Sequence, residues 1–188
     1  MLIVLTGIDG SGKTTAAQAI VDAAGQAGTS ALLLGNYAGR QRMSLLSARL
    51  DVHLTPRQAD FVETAVRTFN VLNSHRRAWR FRGLVVMDRH FHCQLALREM
   101  HGLPRGRFLP FLIRTLPQPD HIIHLDVEPR EAHARVMARG TDAERLEDLE
   151  SLHDAYRSLP EFPGFTSIPA NGPPAEVLAR VQAVVAGP

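Results

Sequence analysis

The chain has 188 residues, 45% of them hydrophobic and 21% charged, enough for one globular domain spanning 1–188 that buries ~70% of its unfolded surface, and too short for two catalytic domains. A single cysteine excludes a disulfide framework and a Cys-rich zinc module, which points to a reducing compartment, the cytoplasm. The formal charge of +2 and isoelectric point of about 9.2 suit a phosphorylated ligand, but no polybasic tract calls for nucleic acid and no apolar run approaches the ~18 residues of a membrane span.

The opening run Leu2-Ile3-Val4-Leu5 lacks a basic leader and is followed by glycines, so it reads as a buried parallel strand and not as a signal peptide. Next comes Gly7-Ile8-Asp9-Gly10-Ser11-Gly12-Lys13-Thr14, a complete G-x4-G-K-[ST] phosphate loop, leading into a helix predicted over 13–27. The chain carries 20 arginines and one lysine, and that lysine is Lys13. Backbone N–H groups of Gly7, Gly10, Ser11, Gly12 and Thr15, with the positive helix end, can wrap a triphosphate that bulkier residues would exclude. Lys13 then reaches the outer phosphates and the Thr14 hydroxyl holds Mg2+, a hard cation that prefers oxygen.

A strand is predicted at 31–34 and helices at 40–51 and 56–82. Along the last, Val62, Ala65, Val66, Phe69, Leu72 and Trp79 keep helical spacing and are expected to face the core. Glu63, Arg67 and Asn70 form a polar line beside them, which spacing alone reads as a solvated ion pair. The strand at 84–87 ends in Asp88-Arg89-His90, where Asp88 is the expected acid for Mg2+ and Arg89 a bidentate phosphate ligand. His90-Phe91-His92-Cys93 opens the helix at 90–101 and reads as a small buried thiol among helix-surface histidines, since one thiol has no partner at metal-ligand spacing.

A helix at 105–116, a strand at 122–125 and a helix at 128–139 follow. Arg135 and Arg139 stand four apart on one helical face, and Gly140 lets the chain turn into a lid over about 139–147 that carries Arg145. Closing arginines neutralise a transferred phosphoryl group and exclude water. A helix at 143–158, a weaker strand at 165–168 and a helix at 174–186 complete an α/β alternation, which implies a mostly parallel sheet with ligands at its carboxyl edge.

Through GIDGSGKTT, VVMDRH, LPQPDHIIHLDV and ARVMARGTDAERLEDLE, in that order and spacing, the chain resembles thymidylate kinases over nearly its whole length. The resemblance implies a three-layer P-loop kinase fold with a five-stranded parallel sheet, a homodimer, and transfer of the ATP γ-phosphate to dTMP or a related pyrimidine nucleoside monophosphate. It places Asp9 at the acceptor sugar and Mg2+, Arg89 and, as a weaker match, Arg42 at the acceptor phosphate, Arg67 at the base and Arg135 at ATP. With Gly10 in the loop where some members carry arginine, the catalytic arginine is implied to come from the lid, Arg139 or Arg145. Glu63 stands where the family stacks a Phe, and Leu97 where it has a sugar-crowding Tyr; Tyr37 offers another aromatic face. These departures predict a weaker preference for thymidylate than in ordinary members.

Two other readings compete. A kinase of the same fold acting on another nucleotide, a nucleoside or a small metabolite fits the same motifs. A nucleotide-dependent regulatory switch fits less well, because a guanine-reading N-K-x-D needs a second lysine.

Overall fold

The computed structural model describes residues 1–37, 55–140 and 144–186. Five strands, β1 (Leu2–Thr6), β2 (Ala31–Gly35), β3 (Leu84–Asp88), β4 (His121–Asp126) and β5 (Thr166–Pro169), form one parallel sheet in the order β2-β3-β1-β4-β5. Seven helices among the described residues connect and cover it: α1 (Lys13–Gln26), α2 (Pro56–Arg80), α3 (Phe91–Met100), α4 (Phe108–Thr115), α5 (Pro129–Arg139), α6 (Leu146–Arg157) and α7 (Pro174–Ala186). The α/β expectation and its five strands hold, with element ends shifted by a few residues. The helix expected over 40–51 and Arg42 lie outside the described residues.

Alternation along the strands divides the core between the two faces of the sheet, because successive side chains point to opposite sides. Ile3, Leu5, Val86, Ile123 and Leu125 join Ala17 and Ile20 of α1, Leu95 of α3, Tyr156 of α6 and Val181 of α7 in the larger cluster. Val4, Leu34, Val85 and Met87 form the smaller one on the opposite side, with Ala78 and Phe81 packed against it. Parallel pairing sets Leu5 opposite Asp88 and Gly35 opposite Asp88 from the other side, so the ends of β1, β2 and β3 lie at one edge.

Two expectations are overturned. In α2, which a Thr55–Gln58 capping box and Pro56 start, the apolar stripe points outward: Phe69 is 71% and Trp79 83% exposed, and Ala65, Val66 and Leu72 are exposed too. The polar line is the inward face, with Glu63 and Arg67 buried, so it is no solvated ion pair. The helix turns this way because partners just after β2 and on α3 satisfy its polar groups, and Val71 is the apolar residue it gives to the larger cluster. Likewise His90 and His92 are buried, not on the helix surface, while the thiol of Cys93 is buried as expected.

Burial is what decides the protonation of these rings. His75 and His90 meet through their Nε2 atoms at 3.1 Å, so one donates and the other accepts, which requires at least one neutral ring. His124 packs among Tyr156, Phe162 and Phe165. Desolvation pushes His90 well below the ordinary histidine value of 6.5, and His92 and His124 down to about 4. The unfolded chain therefore binds protons near pH 6.5 that the native chain refuses until about pH 4, and stability falls as the pH drops through that window. The carboxyls of Asp9 and Asp126, held below 3.8 in the fold, lose their contribution only at lower pH. Thermal melts followed by circular dichroism are expected to show Tm falling steadily from pH 7 to pH 4.5; a flat Tm across that range would contradict neutral burial of these histidines.

Candidate active site

The loop between β1 and α1 is shaped by its glycines. Gly12 caps α1 in the left-handed region at φ 88°, a conformation that costs an L side chain roughly 1–2 kcal/mol. Gly10 is held against α5: a Cβ there would stand 2.4 Å from the Ala132 carbonyl oxygen. No arginine fits at Gly10 without moving α5, so the loop of this chain cannot carry one.

Lys13 is buried beneath the loop and donates to the carbonyl of Ile8 at 2.6 Å and to Ser11 Oγ at 3.3 Å. Its Nζ lies 3.8 Å from Asp9. Burial, then repulsion from Arg89, lowers its pKa, which Asp9 and Asp88 partly offset. Asp88, at the end of β3, takes hydrogen bonds on Oδ2 from Thr14 Oγ1 at 2.7 Å and from the Tyr37 hydroxyl at 2.9 Å. Its other oxygen, Oδ1, is buried with no hydrogen-bond partner. A buried carboxylate oxygen with unused lone pairs beside a threonine hydroxyl fits a hard divalent cation.

Arg89 follows at φ 75°, a left-handed backbone that strains any residue with a Cβ. That turn sends its guanidinium to the phosphate loop, where it pairs with Asp9. Burial pushes the Asp9 carboxyl up, but Arg89 and Lys13 outweigh it and hold the group well below the usual carboxylate range. Burial pulls Arg89 down, and Asp9 more than restores it. The pair is ionised at any physiological pH.

The inward face of α2 closes the opposite wall. Arg67 donates through Nε to Gln94 Oε1 at 3.0 Å and through a terminal nitrogen to the Asn36 carbonyl at 3.3 Å. Asn70 donates to the Tyr37 carbonyl at 2.8 Å. Behind them Gln94 donates to Asp60, which also receives Arg98, whose other nitrogens reach Thr64 and the Arg105 carbonyl.

A cleft of about 1160 Å³ runs between these walls, lined by residues 9–15, Tyr37, Arg67, Asn70, Arg89, Arg135 and Arg139, among others. That exceeds the ~300–1,000 Å³ of common ligand pockets and leaves room for two ligands end to end. Arg135 bridges its far end, pairing with Glu131 and donating to the Gly172 carbonyl at 3.1 Å. Of the lid arginines Arg139 lines the cleft, whereas Arg145 is exposed and pairs with Glu147 at 3.3 Å; residues 141–143 between them are outside the described set. Asp88 lies buried beneath Thr14. Glu63 and Leu97 are buried and are not among the lining residues.

The thymidylate kinase family profile matches residues 5–181 of this sequence. The chain belongs to the thymidylate kinase family. Similar proteins include the thymidylate kinases of Xanthomonas oryzae pv. oryzae, 28% identical, and Xanthomonas campestris pv. campestris, 30% identical, each aligned over 98% of this chain and 82% of the relative. A probable thymidylate kinase of Pyrobaculum calidifontis is 29% identical over 98% of this chain and 95% of its own length.

For this thymidylate kinase family chain, sequence reading missed Asn36, Asp60, Gln94 and Ser74. Asn36 carried a usable signal, being the first polar residue after the apolar run of β2 at the ligand-binding edge. Asp60, Gln94 and Ser74 carried none, since their partners lie 27 to 38 residues away in sequence.

Proposed function

We propose that the chain transfers the γ-phosphoryl group of ATP to a nucleoside monophosphate, dTMP or a related pyrimidine nucleotide. The observation that carries this reading is the meeting of Lys13, Asp9 and Arg89 at the phosphate loop, with Arg67 on the facing wall of the same cleft. Cations on both walls of one cleft suit two phosphorylated ligands, one on the loop and one between Arg89 and Arg67. Charge around the transferred group and alignment of the two partners are what this reaction needs from a protein.

In this reading the loop N–H groups and Lys13 hold the ATP phosphates, and Arg135 with the loop around Gly172 bounds the nucleoside end. An acceptor phosphate oxygen attacks the γ-phosphorus while the bond to the bridging oxygen breaks and ADP leaves. A phosphate monoester with a second pKa of ~6 is already dianionic at neutral pH, so no general base is required. Asp9 has a different duty: permanently ionised, it fixes Arg89 and accepts from an acceptor hydroxyl. Thr14 and Asp88 would hold Mg2+, with Asp9 nearby, and the cation would supply positive charge to the ATP phosphates. Arg139 supplies the closing charge. Arg42 remains a candidate for the acceptor phosphate. The lone buried thiol of Cys93 suits the cytoplasm, and no helix among the described residues is long and apolar enough to cross a membrane.

The exposed row Phe61, Phe69, Leu72 and Trp79 on α2 is the face we assign to the homodimer. Sedimentation is expected to show a dimer for the native chain and a monomer for Phe69→Arg; a native monomer would remove this assignment.

The acceptor is tested by measuring kcat/KM for mono- and unphosphorylated nucleosides with ATP and Mg2+. Pyrimidine monophosphates are expected to be used, with thymidylate less dominant because Glu63 replaces a stacking ring. Lys13→Ala should lower turnover at least ~100-fold with an unchanged circular dichroism spectrum. Use of unphosphorylated acceptors alone, or near-native turnover by that variant, would refute the reading.

The two lid arginines should separate. Arg139→Ala is expected to reduce kcat by ~10-fold or more, and by a larger factor than it raises the acceptor KM, while Arg145→Ala has the smaller effect. Equal, negligible effects in steady-state kinetics would show both to be surface charges.

A further inference from the structure

Asn36 is fully buried where the chain leaves β2, and it bonds in four directions. Its backbone N–H donates to the Asp88 carbonyl at 2.9 Å. Its side-chain Nδ2 donates to the Arg89 carbonyl at 2.8 Å, and its Oδ1 accepts from Ser74 Oγ of α2 at 2.8 Å. Its own carbonyl accepts from Arg67 at 3.3 Å. One small side chain and its peptide thus touch β3, the strained residue beside it, and the helix that forms the facing wall.

We propose that Asn36 is a positioning residue of the acceptor site, fixing Arg89 and Arg67 relative to each other so that Arg89 meets the phosphate and Arg67 the base of one acceptor nucleotide. This rests on the reading that the acceptor nucleotide lies between those arginines.

Three features carry the inference. Arg89 is the one non-glycine residue with positive φ among the described residues. Its peptide is bracketed by the Leu5 carbonyl, which accepts from Arg89 N at 3.1 Å, and by Asn36 Nδ2 on its carbonyl. Strained backbone persists only where neighbours over-determine it, and Asn36 is the side chain that does so here. Second, burial and then repulsion from the partly buried Arg89 depress Arg67, and Asn36 stands between the two, its carbonyl accepting from Arg67 while its side chain holds the Arg89 backbone. Third, Ser74 fixes the rotamer of the Asn36 amide, so that Nδ2 and not Oδ1 faces the Arg89 carbonyl.

The probe is dTMP, whose binding is measured by calorimetry, alongside steady-state kinetics with ATP. Asn36→Ala is expected to weaken dTMP binding by about tenfold or more, leaving the KM for ATP within about twofold. Ser74→Ala, a milder change two helical turns from Arg67, should weaken dTMP binding in the same sense by a smaller factor. Introduced into Arg89→Ala, the Asn36→Ala change should cost much less than in the native chain, because its effect is exerted through Arg89. A purely structural role would instead lower Tm, raise both substrate constants together and remain additive with Arg89→Ala, which overturns the proposal. So would unchanged dTMP affinity in both Asn36→Ala and Ser74→Ala, and if Asn36→Ala does not fold, Ser74→Ala alone decides. If Arg89→Ala itself binds dTMP as the native chain does, the acceptor reading fails first; if Arg89→Ala loses binding and Asn36→Ala keeps it, the positioning role alone fails.

Discussion

The parallel pairing of β1 with β3 is the constraint on which the site depends. With Leu5 opposite Asp88, the phosphate loop leaves one strand where the carboxylate ends the next. Thr14, at the second position of α1, then reaches Asp88 across a single hydrogen bond of 2.7 Å. A slip of one residue would turn Asp88 to the opposite face of the sheet and place an apolar side chain under the loop. The register is fixed by the alternating apolar residues of β1 and β3, so packing on both faces of the sheet sets the chemistry at its edge.

From that edge the arrangement spreads through charge. Lys13 and Arg89 repel each other, and the Asp9 carboxylate between them lowers the cost of burying both. The same logic explains why α2 faces inward with its polar side. Arg67 is removed from solvent where Gln94 and Asn36 hold it and Asp60 and Arg98 complete the layer behind. An apolar face turned to this wall would give more hydrophobic burial but could not bind an anion. The helix therefore keeps its apolar stripe on the outside, where a second surface must cover it or leave it wet.

Glu63 and Leu97 are packed into the protein, while Arg67, Asn70, Tyr37 and Arg89 face the cleft. Behind Arg67 lies a layer of hydrogen-bonded polar groups, Gln94, Asp60 and Arg98. Those bonds hold Arg67 in a set orientation while part of its guanidinium faces the cleft.

The sequence by itself determined the phosphate loop, Lys13, Thr14, the Asp88-Arg89 pair, the five strands and the α/β class, because each depends on local pattern. A glycine loop needs its glycines at fixed spacing, a buried strand needs an apolar run, and Gly140 ends α5 in the left-handed conformation that the sequence announces. Periodicity also located α2, yet it could not say which of two adjacent faces turns inward. It assigned the core to Val66, Phe69, Leu72 and Trp79, when the core side belongs to Glu63, Arg67 and Ser74. Tertiary structure decided that, along with the burial of His90 and His92 and the place of Asn36 between two arginines. The physical reason is the same in each case: a polar group is buried only where a partner distant in sequence satisfies it, and that partner is supplied by the fold.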